Sequence, residues 1–323
     1  MGLGTDGQPL PHVEGAVDPP LVGAACDGDG DRNMVLGRRF FVSPSDSLAI
    51  IAHHAQHIPY LSGERGLVAV ARSMPTSAAA DRVAGAGEAQ AFVTPTGWKY
   101  FGNLMDSAAV FGGKDYTPLL CGEESFGLGS SHIREKDGLW AILAWLSVLA
   151  GENAGELAKG DGKLKGIQEV VEAFWQQYGR NFYTRYDYEG VTSESAAAVF
   201  ERLRAKVAEM EPEAAAAQSL SEDWTLTGAD EFTYADPVDG SVAANQGLQF
   251  HFSDGSRVVF RLSGTGSVGA TIRVYVERYV APEAGAEALG AATKDVVGSL
   301  VAVALQLSGI PELTGRTEPS VIT

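Results

Sequence analysis

Positive charge is what this chain has least of. Lys and Arg number 24 against 41 Asp and Glu, a formal balance of −17 over 323 residues. A nucleic acid or an acidic membrane surface demands a basic face, and nothing in the sequence supplies one; both partner classes are excluded. An anionic small substrate needs its own local cluster of Arg, Lys and backbone N–H groups. Long apolar runs are missing too. The longest, Leu139 to Ala150, falls short of the roughly 20 residues that span a bilayer. No signal peptide opens the chain, and Met1-Gly2 is not followed by Ser or Thr at position six, so the myristoylation pattern is absent. Cysteine is scarce: Cys26 and Cys121 agree with a reducing compartment and read as small structural thiols. Together these absences predict a soluble intracellular protein, cytoplasmic with a plastid as the alternative. A hydrophobic share of 45% is ample for a large core and about two domains.

Against this background one stretch is dense in chemistry. Ala25-Cys26-Asp27-Gly28-Asp29-Gly30-Asp31-Arg32-Asn33 places three aspartates at every second position, with glycines that let the backbone turn tightly and aim the carboxylates at one centre. Crowded carboxylate oxygens suit a hard divalent cation, and three of them leave positions open for water or a phosphate, which favours Mg²⁺ over Ca²⁺. An EF-hand requires Gly at the sixth loop position and Glu at the twelfth; Arg32 and Arg38 stand there, so that reading fails. Leu21 to Ala25 before the loop reads as a short buried strand of an α/β sheet, with Met34-Val35-Leu36 continuing after it.

The first twenty residues have no periodicity and are rich in Pro and Gly, a loop or frayed end. From Ser43 a helix start precedes Leu48 to Ala52; His53 and His57, four apart, could face one metal, but with no acidic group nearby in sequence they read as packing or solvent-facing residues. Strands at Gly66–Ala71, Gln90–Val93 and Leu119–Cys121 alternate with loops and helix and give a βαβ rhythm whose loops gather at the carboxyl edge of a sheet. Gly138 to Leu149, capped by Asp137, is apolar on every face and belongs inside a packed domain. Ile167 to Tyr178, ended by Gly179, and Ser195 to Met210 are amphipathic helices. The last third changes character. Leu248–Phe252 and Ser256–Leu262 flank an Asp254-Gly255 turn, a β-hairpin; Thr271 to Glu277 alternates strictly, and a long helix runs from about Ala284 to Leu307. Gly264 to Gly269 matches G-x-G-x-x-G, yet a strand and not a helix follows, which rejects a dinucleotide site. The loop Ser263 to Ser267 between Arg261 and Arg273 suits a phosphate instead. The expected fold class is α/β, with a mixed-sheet βαβ domain, followed by an α+β C-terminal domain.

These motifs, in this order, resemble the phosphoglucomutase family of the α-D-phosphohexomutase superfamily. Asp27 to Met34 resembles its magnesium loop. Thr94-Pro95-Thr96-Gly97-Trp98-Lys99 and Cys121-Gly122-Glu123-Glu124-Ser125-Phe126-Gly127 resemble its third-domain loops, and Ser130 to Gly138 and Arg180 to Tyr188 fit the same pattern. Arg261 to Ser267 resembles its fourth-domain phosphate loop, and Thr314-Gly315-Arg316 through Thr323 its terminus. The resemblance implies interconversion of glucose 1-phosphate and glucose 6-phosphate through glucose 1,6-bisphosphate. It implies Mg²⁺ on Asp27, Asp29 and Asp31, and Arg32 and Lys136 as catalytic charges. Thr96, Gly97, Glu123, Ser125 and Lys136 would hold the phosphorylated hexose, whose non-reacting phosphate sits on Ser263, Thr265, Ser267 and Arg273. The family's Thr-Ala-Ser-His-Asn-Pro loop, whose serine carries the phosphoryl group, has no counterpart among these residues. The resemblance therefore predicts a remnant of the second domain over 1–41, the third domain over 42–160 and the C-terminal domain over 161–323, with no turnover by this chain alone and a sheet edge near Leu21 to Ala25 open to a partner. A phosphosugar-binding or regulatory protein without catalysis is the alternative.

Overall fold

The computed structural model describes residues 2–3, 9–11, 17–160, 162–210, 217–266 and 269–323, the side chains of 265 and 266 excepted. Contacts divide the chain into two units. The first comprises Met1–Arg180 with Pro237–Asp239 and Pro282–Leu289; the second comprises Asn181–Asp236, Gly240–Ala281 and Gly290–Thr323.

Unit 1 opens with a three-stranded antiparallel sheet of β1 (Val22–Cys26), β2 (Asn33–Gly37) and β3 (Phe40–Phe41). The expectation of a buried α/β strand before the aspartates is corrected: β1 is half exposed and, among the described residues, pairs only with β2, so the aspartate loop is the turn of a hairpin. β1 thus lies at one edge of this three-stranded sheet. α1 (Pro44–His53) starts where the sequence places it, because the Ser43 hydroxyl accepts the Asp46 N–H at 3.1 Å and Pro44 occupies a position that needs no N–H partner. Its Leu48, Ile50 and Ile51 are buried.

A second sheet follows the βαβ rhythm: β4 (Ala69–Ser73), α2 (Ala79–Ala86), β5 (Gln90–Thr94), α3 (Trp98–Asp106), β6 (Leu119–Gly122) and β7 (Leu128–Ser130). The order is β5-β4-β6-β7, with the first three strands parallel and β7 antiparallel. Parallel register brings the loops after Ser73, Thr94 and Gly122 to one edge. Arg72, beyond the expected strand end at Ala71, lies inside β4 as a buried side chain; it forks onto Asp81 at 2.8 and 2.6 Å and donates to the Met74 and Thr76 carbonyls. That fork fixes the turn leaving β4.

α4 (Gly138–Glu152), α5 (Ala154–Lys159) and α6 (Ile167–Tyr178) complete the N-terminal part of this unit. α4 is only half internal. Ala141, Ala144, Trp145 and Val148 are buried, whereas Leu139, Leu143 and Leu146 are exposed, so the expectation of burial on every face fails along that stripe. The residues after α4 do not part the units as a boundary at 160/161 supposes. Asn153 donates to the Leu149 and Lys165 carbonyls and accepts the Lys165 N–H, α6 packs on α1 and α4, and the division falls between Arg180 and Asn181.

Unit 2 is built on a seven-stranded sheet in the order β16-β8-β15-β14-β13-β10-β9, with a separate β11-β12 pair. In chain order come β8 (Arg180–Val191), α7 (Ser193–Met210), β9 (Gln218–Ser219), β10 (Thr225–Glu231), β11 (Tyr234–Ala235), β12 (Val242–Ala243), β13 (Leu248–Phe252), β14 (Arg257–Gly266) and β15 (Gly269–Val280). The hairpin at Asp254-Gly255 is as expected, with Gly255 at φ +84°. The single long helix is not. It is α8 (Gly285–Leu289), which belongs to unit 1, and α9 (Thr293–Ser308), broken where Ala292 adopts extended backbone beside Gly290; α10 (Ile310–Thr314) and β16 (Val321–Ile322) close the chain. Val199, Phe200, Leu203, Phe250, Phe260, Val274 and Leu300 lie in one core between α7, α9 and the sheet. Among the described residues no single helix is long and apolar enough to cross a membrane.

Candidate functional site

The hairpin turn between β1 and β2 folds as the sequence suggests. Gly30 at φ +76° lets its N–H return to the Asp27 carbonyl at 3.2 Å, and Asp27, Asp29 and Asp31 each offer a carboxylate oxygen within 4.8 Å of the others. The Arg32 N–H donates to Asp27 Oδ1 at 3.1 Å; this bond first, against an upward push from desolvation, holds the Asp27 carboxyl below its ordinary value. Two cations lean on the same group: Lys136 Nζ stands 2.8 Å from Asp31 Oδ2, and Arg32 Nε 3.5 Å from Asp27 Oδ2. Asp31 Oδ1 is buried without a hydrogen-bond partner. Three hard oxygen donors at one centre, one of them buried and unsatisfied, fit Mg²⁺.

What fixes the turn is remote in sequence. The Gly138 N–H donates to the Gly30 carbonyl at 3.0 Å, and a Cβ at Gly138 would stand 2.6 Å from the Arg32 carbonyl oxygen and 2.7 Å from that of Gly30. The first residue of α4 must therefore be glycine for the loop to sit on it. Asp137, just before it, caps the helix through Oδ1 on the Trp140 N–H at 2.8 Å and binds His132 Nε2 through Oδ2 at 3.0 Å. Burial pushes the Asp137 carboxyl up, but these bonds outweigh it and its net shift is downward.

The Glu123 to Gly127 loop joins this arrangement. Arg32 and Gly127 form an antiparallel bridge, the Asn33 N–H donates to the Phe126 carbonyl at 3.0 Å, and the Asn33 side chain donates to the same oxygen at 3.2 Å. Phe126 carries a positive φ of 70°, backbone strain of the kind that gathers at working sites. Glu123 Oε1 accepts the Gly97 N–H at 3.0 Å, which ties the Thr96-Gly97 loop after β5 to the loop after β6. The Lys136 stem crosses Gly127 so closely that a Cβ there would meet it at 2.6 Å. Thr96 Oγ1 is buried without a hydrogen-bond partner, and Ser125 is half-buried. Neighbouring Glu124 is structural: it accepts from Ser73 Oγ at 2.9 Å in the core. Unit 1 thus brings Asp27, Asp29, Asp31, Arg32 and Lys136 together and ties Glu123 and Gly97 to them.

In unit 2 the phosphate-loop residues take a different form from the expected open loop. β14 runs through Ser263 and Gly264, with a register shift between Ser263 and Thr265 and Gly264 at φ +66°. The feature is a bulged hairpin, a device that re-aims side chains beside sites. Arg261 stands opposite Arg273 and Ser263 opposite Thr271, so by alternation the four share a face. Like charges in register repel. The acid that offsets them comes from the Arg180 to Tyr188 stretch, where it was given no role: Asp187, buried on β8, lies 3.7 Å from Arg273 Nε and 3.0 Å from Arg185 Nε. The Thr265 side chain and Ser267 lie outside the described residues.

The histidines also regroup. α1 ends at His53 and a 3-10 turn, Ala55–His57, follows, so His53 and His57 are not a helical pair; His53 Nδ1 bonds the Tyr178 hydroxyl at 3.0 Å. The acidic group missing from the local sequence is supplied from afar by Glu152, which faces His54 and His57. Burial first, with His53 beside it, lowers His54 to about 4. Ser130, His132 and Asp137 form a chain of hydrogen bonds at 2.6 and 3.0 Å, but Ser130 is fully buried. Ser131 is spent on the Leu119 N–H and the Tyr60 hydroxyl.

Two family models match the chain: Phosphoglucomutase/phosphomannomutase, alpha/beta/alpha domain III, over residues 43–178, and Phosphoglucomutase-1, C-terminal domain, over residues 180–320. The cytoplasmic phosphoglucomutase of Bromus inermis is 53% identical over 313 residues, 95% of this chain and 51% of that one. That of Populus tremula is 51% identical over 327 residues, covering 100% of this chain and 52% of its own. Among solved structures, the open form of the Paramecium exocytosis-sensitive phosphoprotein pp63/parafusin, a phosphoglucomutase, superposes with a TM-score of 0.78 at 49% identity, covering 94% of this chain and 48% of that one. The chain spans about half the length of the curated relatives it matches. By sequence, by domain model and by fold, the chain belongs to the phosphoglucomutase family, of which it carries the alpha/beta/alpha domain III and the C-terminal domain.

Proposed function

We propose that this chain carries the metal, sugar and phosphate groups of a phosphoglucomutase, an intramolecular phosphotransferase interconverting glucose 1-phosphate and glucose 6-phosphate by way of glucose 1,6-bisphosphate. The observation that carries the reading is the Arg32–Gly127 bridge, which fastens the aspartate turn to the loop bearing Glu123. Mg²⁺ held by Asp27, Asp29 and Asp31 supplies charge neutralisation to a transferring phosphoryl group. Arg32 and Lys136, which lean on those carboxylates here, can turn to phosphoryl oxygens once a cation takes their place. Glu123 accepts and Ser125 donates or accepts hydrogen bonds from sugar hydroxyls, in either orientation of the hexose, and the Thr96-Gly97 loop holds Glu123 in position. In unit 2, Arg273 and Ser263, with Thr265 and Ser267 of the same loop, take a phosphate by charge-assisted bonds.

Two finer points belong to the same reading. The relatives are named cytoplasmic phosphoglucomutases, which supports the cytoplasm as its compartment. And because the family's phosphoserine loop has no counterpart among these 323 residues, the chain alone does not turn over; electrostatic stabilisation lowers a barrier but does not replace the group that is transferred. The test is calorimetry with Mg²⁺ on the parent and Asp29→Ala, beside a coupled assay with glucose 1-phosphate and added bisphosphate. Mg²⁺ binding lost in Asp29→Ala, with no turnover, is expected. Tight Mg²⁺ binding untouched by Asp29→Ala sinks the metal assignment, and turnover that Asp27→Ala abolishes overturns the predicted inactivity.

A further inference from the structure

At the far end of α4 from the aspartate loop lies a second set of ligand groups. His54, His57 and Glu152 each offer one ligand atom within 4.8 Å of the others. Glu152 Oε1 stands 3.5 Å from His54 Nδ1 and 3.8 Å from His57 Nε2. Both distances exceed an ordinary N–H···O hydrogen bond. They are close to the roughly 3.3–3.6 Å that separates ligand atoms placed about 2.0–2.2 Å from a tetrahedral ion.

Three further observations point to an occupant. The His54 side chain is 8% exposed, and its Nδ1 is buried with no hydrogen-bond partner although it is aimed at Glu152. A nitrogen in that state is costly unless something binds it. The other Glu152 oxygen is held by Lys165 Nζ at 3.1 Å, which fixes the carboxylate with Oε1 turned to the histidines, an outer bond of the kind that orients metal ligands. Finally, the His57 ring lies against Gly151 so closely that a Cβ there would stand 2.3 Å from its Cγ and Nδ1. The helix makes room for this ring by having no side chain at that position.

We propose that His54, His57 and Glu152 form a binding site for a zinc-class transition-metal ion, with a water in the fourth position. Two imidazoles and one carboxylate select such an ion over Mg²⁺, which takes oxygen ligands. The site differs from the aspartate loop in donor set and in place: Gly138 abuts Gly30 and Glu152 closes the same helix, about 21 Å away at 1.5 Å per residue. The bound ion joins the end of α1, the 3-10 turn and the end of α4, so its consequence is a tighter unit 1. His57, 28% exposed, supplies the small inward movement that closure needs, and the Gln56 amide, 3.5 Å from its Nε2, rotates aside.

The experiment titrates the 323-residue chain with ZnCl₂ by calorimetry, with Mg²⁺ in excess to saturate the aspartate loop, and follows the melting temperature and the visible spectrum with Co²⁺ alone as the probe. Expected are one Zn²⁺ per chain, a raised melting temperature, and Co²⁺ bands of a low-coordinate nitrogen and oxygen site. His57→Ala and Glu152→Gln, both at partly exposed side chains, weaken binding about a hundredfold. Gly151→Ala does the same by displacing the ring, while Asp29→Ala leaves Zn²⁺ stoichiometry unchanged. Absence of Zn²⁺ binding, binding that survives both His57→Ala and Glu152→Gln, or binding abolished by Asp29→Ala overturns the proposal.

Discussion

A single missing methyl group decides whether the aspartate turn can exist. With 2.6 and 2.7 Å between a would-be Cβ of Gly138 and two carbonyl oxygens of the turn, neither of which belongs to a flexible side chain, Gly138→Ala must move the loop or the start of α4. The expected outcome is a chain that keeps its far-ultraviolet dichroism but binds Mg²⁺ at least tenfold more weakly; unchanged Mg²⁺ affinity by calorimetry refutes the coupling. Asp46 offers a second test at this scale. Burial, offset in part by Arg180 and Ser43, raises its carboxyl from 3.8 to about 6. The folded chain therefore holds this proton where the unfolded chain has released it, and stability from this group is lost as pH rises from about 4 to about 6. Relative to Asp46→Asn, the parent's unfolding free energy should fall by about 3 kcal/mol at most across that window, since a tenfold change in proton affinity is worth about 1.4 kcal/mol. Parallel pH profiles in urea melts of the two proteins contradict it. At this scale the aspartates, Arg32, Lys136 and Glu123 were legible from spacing and motif. Glu152 was not, and the contacts of Gly138 and Asp187 were not either, although both lie in stretches that resemble the family, because their partners lie far away in the chain and only the fold brings them into contact.

Elements with local signals matched their sequence reading. α1 begins at Ser43-Pro44, α6 ends at Gly179 with its N–H on the Trp175 carbonyl at 2.8 Å, and the β13–β14 hairpin turns at Asp254-Gly255. Each signal acts within a few residues, so no tertiary contact is needed to choose it. Where the structure differs, a tertiary effect decides. The apolar run of α4 could not announce that Leu139, Leu143 and Leu146 face outward, and the helical pattern after Ala284 could not show that Ala292 turns extended. The start of α4 carries the prediction for this scale. Asp137 supplies both the cap on Trp140 and the bond to His132, so Asp137→Ala should destabilise the chain by about 1–2 kcal/mol and release His132 from its stack on Trp140, whose ring centroids lie 5.2 Å apart. Thermal melts give the first effect and tryptophan fluorescence the second; a melt within about 0.3 kcal/mol of the parent, too small for a lost cap, shows that water replaces the cap without cost.

At the scale of the whole molecule, the units are not consecutive lengths of chain. Unit 1 is completed by residues from beyond 180: α8 and the 3-10 turn Pro282–Ala284 pack on α6, Leu289 is 2% exposed, Arg180 Nη1 donates to the Leu289 carbonyl at 2.7 Å, and Asn103 Nδ2 donates to Asp239 at 3.0 Å. Val238 packs against the cluster containing Phe101, Leu104 and Leu119. The sequence reading set one boundary, at 160/161; what the sequence cannot express is that two short returns of the chain, Pro237–Asp239 and Pro282–Leu289, finish the first unit. Expressed as residues 1–180 alone, unit 1 should fold with the same sheet but lose roughly 2–5 kcal/mol, the cost of leaving a Leu-sized gap and its neighbours open to water. The loss should be local, since α6 provides the exposed face. Hydrogen exchange is the measurement: in the 1–180 piece the amides of Val170 to Trp175 should exchange faster than in the full chain, while those of β4 and β6 keep their order. Equal protection of α6 in the two forms means that the returning segments rest on unit 1 without supporting it, and the core of unit 1 would then be complete at Arg180.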